Sequence, residues 1–280
     1  MFINWFLYLS LLLSFNVIGS EIRPSLAEIS YGSAAKQQLD VYLPNKAKQA
    51  PIIVMVHGGA WRFGDKASNA VVDNKVERWV SRGFIFVSVN YRLLPKANPL
   101  QQANDIAKSL SFIQQQASLW GGDAKQMIVM GHSAGAHLVS MLAASAKLTA
   151  DAGVTPWLAT IAIDSAAYDV VTMMSADPPR FYERAFGNNK AFWQQTSPFH
   201  LLSEKRSPFL AICSTRRAIS CQQATAFINK AQQYDMTASL LKVDLSHRAT
   251  NVQLGKNSLY TQDVERFISS LSPALAQRLQ

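Results

Sequence analysis

Charge is thin in this chain of 280 residues: Asp, Glu, Lys and Arg together make up 16% of it. The balance is basic, +9 at pH 7, yet no basic run is longer than the pair Arg216-Arg217. Scattered cations do not make the patch that nucleic-acid binding needs, so a nucleic-acid partner is not expected. Cysteine is scarcer still, with only Cys213 and Cys221. There is no internal repeat, no low-complexity stretch and no visible domain boundary. Hydrophobic residues, at 49%, are abundant enough for a globular chain rather than a disordered one. The length suffices to bury a sizeable core and suits one domain.

The first twenty residues lack charge altogether. Met1 to Ser20 runs through Trp5-Phe6-Leu7 and Leu11-Leu12-Leu13 to the small residues Gly19 and Ser20. This reads as a secretory signal peptide cleaved near Gly19 or Ser20, which makes the protein secreted or periplasmic and leaves 21–280 as the single folded domain. The n-region has no Lys or Arg, so an uncleaved anchor of 1–20 is the rival, and only then is a membrane a partner. No Cys lies near the end of the segment, which argues against a lipoprotein anchor. In an oxidising compartment Cys213 and Cys221 could close a small loop; the other reading is two unconnected buried thiols.

What is present is an alternation. Ala27 to Val41 reads as one or two strands. The continuous apolar runs Pro51–Val56 and Phe84–Val89 have the look of strands buried on both faces. Between and after them, Asn69–Arg82 and Pro99–Leu119 carry apolar residues at helical spacing, and Met127–Met130 is a third strand. Strand and helix alternate from 51 to 146, which predicts a parallel sheet with crossover helices, an α/β fold. Further strands are expected at Trp157–Ile163, Pro208–Cys213 and Ala238–Val243, with helices at Cys221–Tyr234 and Thr261–Leu271. Tyr168 to Ser203, rich in Met, Pro and aromatics, reads as an irregular cap.

The strand Met127–Met130 runs straight into Gly131-His132-Ser133-Ala134-Gly135, and the Ala-rich stretch to Ala146 follows as a helix. Strand, G-x-S-x-G and helix in that order make a nucleophile elbow, with Ser133 at the tip of a strained turn. A serine hydroxyl needs a base to take its proton and a third group to orient that base. Five histidines are available: His57, His132, His137, His200 and His247. His247 is preferred as the base, because it follows the last strand and loops leaving parallel strands gather on one sheet edge. His57-Gly58-Gly59 follows another buried strand. The N–H groups of Gly58 and Gly59, with that of Ala134, are the expected oxyanion hole. No metal or organic cofactor is required.

His57-Gly58-Gly59-Ala60-Trp61 together with Gly131-His132-Ser133-Ala134-Gly135 resembles the α/β-hydrolase superfamily, within it the hormone-sensitive-lipase-like and arylformamidase-like carboxylesterases. Trp61–Lys66, Asn90-Tyr91-Arg92-Leu93 and Gly121-Gly122-Asp123 also resemble that family's spacing. The resemblance covers most of 30–271. It implies a mostly parallel central sheet with helices on both faces, a small cap, and hydrolysis of small carboxylic esters, or of amides in the arylformamidase manner, by way of an acyl-enzyme. It implies nothing about oligomeric state or natural substrate, since one fold hosts many activities.

One member of the expected triad is missing from its usual place. The resemblance puts the acid in the loop after Pro208–Cys213, but Ser214 to Ser220 contains no carboxylate. Asp164 is the first choice, because it ends the strand after the elbow helix, where pancreatic-type lipases of this fold carry their acid. Asp244, three residues before His247, is second; Asp169 resembles an aspartate that is structural in relatives. A site with no carboxylate partner, and with it a decayed hydrolase that only binds, is the remaining alternative. Arg216 and Arg217 in the same loop are either a fork for a substrate carboxylate or a solvated pair. Trp61, Phe63, Tyr91, Phe181, Tyr182 and Phe186 are candidate pocket walls.

Overall fold

The computed structural model describes residues 22–280; the predicted leader, 1–20, lies outside them. Among the described residues one sheet of eight strands is formed: β1 Leu26–Ser30, β2 Gln38–Tyr42, β3 Ala50–Val56, β4 Ile85–Val89, β5 Gly122–His132, β6 Ala159–Ile163, β7 Phe209–Ser214 and β8 Ala238–Val243. Their order is β1-β2-β4-β3-β5-β6-β7-β8. The first two strands pair antiparallel, as β2 does with β4, and every pairing from β4 to β8 is parallel. This is the α/β-hydrolase architecture that the alternation and the motifs implied.

The continuous apolar runs are explained by cover on both faces. In β3, Ile52, Val54 and Val56 pack on one face with Leu110 and Leu138, while Ile53 and Met55 pack on the other with Trp79 and Ile268. Successive side chains of a strand point to opposite faces, so a strand covered twice has no polar position to spare. The long helices are α1 Asn69–Val80, α2 Pro99–Gln116 and α3 Ala134–Ala144, followed by the short α4 Ala146–Ala150. Helix α2 begins where the sequence marks it: Asn98 and Gln101 form a reciprocal capping box around Pro99.

The cap differs from the expectation of irregular chain. It holds four short helices: α5 Val170–Met174, α6 Arg180–Phe186, α7 Lys190–Gln195 and α8 Pro198–Leu201. Each is too short to show a period, and two start on side-chain caps, Asp169 for α5 and Asn189 for α7. The chain ends with α9 Ala218–Gln233, α10 His247–Val252, α11 Leu259–Ser270 and α12 Pro273–Leu279. Because β3, β5, β6, β7 and β8 run the same way, the chain leaves all five at one edge, and the cap lies over that edge.

Candidate active site

The elbow is built by close approach. Ser133 sits at φ 56°, ψ −117°, a conformation that an L-residue adopts only under constraint. Its N–H donates to Ile163 O at 2.9 Å, and its carbonyl accepts from His137 N–H. A Cβ on Gly135 would stand 2.2 Å from Val56 O, so only glycine lets helix α3 lie this close to β3. Of the eight non-glycine residues with positive φ among the described residues, four line the cavity here: Ala60, Trp61, Ser133 and Asp164. Half of these unusual conformations thus gather at one place, around the elbow serine.

Ser133 Oγ lies 2.9 Å from His247 Nε2, and His247 Nδ1 lies 2.6 Å from Asp164 Oδ2. His247 is the first residue of α10, entered through the Ser246 cap, rather than part of an open loop. Asp164 is completely buried at the end of β6. Its carboxylate also accepts from Ser214 N–H at 3.0 Å, Ser220 Oγ and Arg217 Nη1. Burial alone would push this carboxyl up, but His247, Ser214, Ser220 and the Arg217 charge together hold it well below the usual carboxylate range. With Asp164 ionised, Nδ1 carries the proton and Nε2 is free to accept from the Ser133 hydroxyl.

Asp244, the second choice for the acid, is turned away: its Oδ1 accepts from Arg216 Nε at 2.7 Å on the exposed surface. The two arginines therefore have separate fates. Arg216 is the solvated one, and Arg217 points inward to Asp164 and His247. The loop from Ser214 to Ser220, empty of carboxylates, supplies the donors that hold one. Cys213 and Cys221 are joined by a disulfide that brackets this loop. The sequence offered Arg217 as a substrate fork or a solvated residue, not as a partner of Asp164, and did not flag Ser214 or Ser220, since each meets Asp164 across 50 or more residues.

Three of the remaining histidines, His57, His132 and His137, meet backbone carbonyls through their rings. His132 Nε2 meets His247 O at 2.9 Å, with the two rings 4.6 Å apart. Burial, followed by the neighbouring His247, pushes His132 down to about 3, so it is neutral and donates. His57 stacks on Tyr91, whose hydroxyl donates to His57 O. His137, on α3, bridges Trp61 and Thr196 of the cap. His200 pairs with Ser197 in the cap, and Asp169 caps α5.

Gly58, Gly59 and Ala134 line the same cavity as Ser133 and His247, a space of about 530 Å³. Neither Gly58 N–H nor Gly59 N–H donates to a backbone acceptor among the described residues. Of the aromatic candidates, Trp61, Phe63, Phe181 and Tyr182 line the cavity. Tyr91 and Phe186 are fully buried behind it.

A parallel sheet, an elbow at the end of its middle strand and converging loops at one edge define an α/β-hydrolase. More narrowly, the chain belongs to the BD-FAE family, whose model matches residues 39–231. Among curated relatives, kynurenine formamidase of Danio rerio is 26% identical over 217 residues, 76% of this chain and 68% of that protein. The probable isoprenylcysteine alpha-carbonyl methylesterase ICME of Oryza sativa subsp. japonica is 33% identical over 42% of this chain but only 28% of its own length. Esterase LipQ of Mycobacterium tuberculosis is 28% identical over 66% of this chain and 47% of its own. The chain thus spans well under two thirds of several of these relatives. In fold, Esterase B of Lactobacillus rhamnosis, inhibited by a tributyrin phosphonate, superposes with a TM-score of 0.74 at 21% identity, covering 93% of this chain and 92% of that one. Thermogutta terrifontis esterase 2 with bound butyrate gives 0.72 at 20% identity, over 89% and 94%.

Proposed function

We propose that the protein is a serine hydrolase that cleaves carboxylic esters of small acyl or aryl groups through an acyl-enzyme intermediate. The observation that carries this reading is the chain Ser133 Oγ–His247 Nε2 at 2.9 Å and His247 Nδ1–Asp164 Oδ2 at 2.6 Å. Ser133 Oγ attacks the ester carbonyl while His247 Nε2 takes its proton. The carbonyl electron pair moves onto oxygen, where the N–H groups of Gly58, Gly59 and Ala134 receive it. Collapse of this adduct expels the alcohol, protonated by His247. Water, deprotonated by the same nitrogen, then attacks the acyl-serine and frees the acid. Asp164 keeps the imidazole in the working tautomer and stabilises it when charged. Similarity to Esterase LipQ and to Esterase B supports the ester-hydrolysing part of the proposal.

The test is turnover of p-nitrophenyl acetate and butyrate by residues 21–280 beside Ser133→Ala, with fluorophosphonate labelling of both. Loss of turnover and of label in the variant is expected. Equal turnover by the two proteins would overturn the reading.

A second reading is favoured by one observation, the 26% match to kynurenine formamidase over 76% of this chain. The same residues would cleave an aryl formamide, with His247 protonating the amine. Hydrolysis of an aryl formamide faster than of the matching ester would decide for it. The reading includes export: the uncharged Met1 to Ser20 and the joined Cys213–Cys221 support it. N-terminal sequencing of the exported protein tests this and separates a cleaved leader from an anchor.

A further inference from the structure

His247 Nδ1 has two neighbours of opposite kind. Asp164 Oδ2, an acceptor, stands at 2.6 Å, and Arg217 Nη1, a donor, stands at 2.7 Å. The same Arg217 nitrogen reaches Asp164 Oδ2 at 2.8 Å and Asp164 O at 3.2 Å. A guanidinium has no acceptor, so once Nδ1 carries its proton the Arg217 contact offers the ring a positive charge and no hydrogen bond. An ionised aspartate alone would present the imidazole with a full negative charge; here that charge is shared with a cation.

We propose that Arg217 is a positioning residue that fixes the Asp164 carboxylate and sets a positive charge against the Nδ1 side of the His247 ring. The inference rests on the Ser133–His247–Asp164 reading above.

Among the described residues only Asp164 and Arg217 are within hydrogen-bond distance of His247 Nδ1; the other groups facing His247 lie elsewhere around it. His132, at the end of β5, is neutral and donates to the His247 carbonyl. Ser133, from the elbow, occupies Nε2. Arg248, next along α10, lines the cavity. Lys75, beneath α10, spends its donors on Asn251 O and Ala70 O. Tyr182 of the cap faces Arg217. Among the described residues Arg217 alone is bonded to both side chains of the pair, and the disulfide between Cys213 and Cys221 brackets the loop that carries it.

The experiment is the pH dependence of kcat/KM on p-nitrophenyl acetate from pH 4 to 8 for the parent, Arg217→Gln, Arg217→Lys and Ser133→Ala. Gln keeps a donor for Asp164 without the charge, and Lys keeps the charge. For Arg217→Gln the acid limb moves up by roughly one pH unit, and Lys restores it toward the parent. A purely structural role would lower the rate of Arg217→Gln and leave the limb where it was; that result overturns the proposal and spares the esterase reading. Turnover that survives in Ser133→Ala overturns the triad reading, and the proposal falls with it.

Discussion

The Trp61 indole donates to His137 Nδ1 at 3.2 Å, and His137 Nε2 in turn donates to Thr196 O at 2.7 Å. These two bonds tie together the glycine loop after β3, the elbow helix α3 and the cap. The ring is fully buried, and burial pushes it down to about 4, so it stays neutral and bridges a donor to an acceptor. Trp61→Phe keeps the aromatic packing against Phe186 and Tyr182 but leaves a buried ring nitrogen without its partner. The expected loss is about 1–3 kcal/mol, read as a lower urea midpoint with an unchanged slope.

Asp164→Asn and Asp244→Asn separate the two carboxylates. Asn at 164 cannot stabilise the imidazolium and admits the wrong tautomer, so kcat falls by roughly 10³–10⁴. Asp244 is exposed and faces Arg216, so its variant keeps kcat within about twofold. The p-nitrophenyl acetate assay checks both, and a dead Asp244→Asn beside an active Asp164→Asn would reverse the assignment.

Lys75 gives a pH signature in stability. Its side chain is buried on α1, donating to Ala70 O and Asn251 O, and burial pushes it down to about 7. In the unfolded chain a lysine titrates near ~10.4. Between these values the unfolded chain binds more protons, so stability rises with pH from about 7 to 10, and the full penalty applies below 7. Denaturant midpoints at pH 7 and pH 9.5 should show this rise, and Lys75→Met should flatten it.

Two glycine variants should fail differently. On Gly58 a Cβ would stand 2.9 Å from Ser133 Cβ and 2.8 Å from His132 O. Gly58→Ala therefore shifts the loop beside the nucleophile, with a loss in kcat of about 10²–10³ in a protein that still folds. On Gly135 the Cβ would meet Val56 O and His57 O, both backbone, so Gly135→Ala should give little soluble protein. Circular dichroism beside fluorophosphonate labelling rates distinguishes the two cases.

The parts that the sequence made legible are those encoded locally. The buried strands announce themselves as unbroken apolar runs, and Gly131 to Gly135 between a strand and a helix specifies the elbow. Asp164 could be ranked first because the end of a parallel strand has a known place on the sheet edge. Arg217 could not be read, because its meaning depends on partners 53 and 30 residues away that only the folded sheet brings near. The cap helices escaped for another reason: with four to seven residues each they are too short to show a period, and only α5 and α7 start on Asx caps. The empty carboxylate position in the loop after β7 was visible, but its occupant looked like a surface residue.

Ser214, Arg217 and Ser220 all lie between the two bonded cysteines, Cys213 and Cys221. A chain kept reduced carries every residue of the site and lacks the covalent tie that closes the seat of its acid. The covalent tie between Cys213 and Cys221 thus fixes both ends of the segment whose donors hold the Asp164 carboxylate, so that this seat is anchored by a bond as well as by packing.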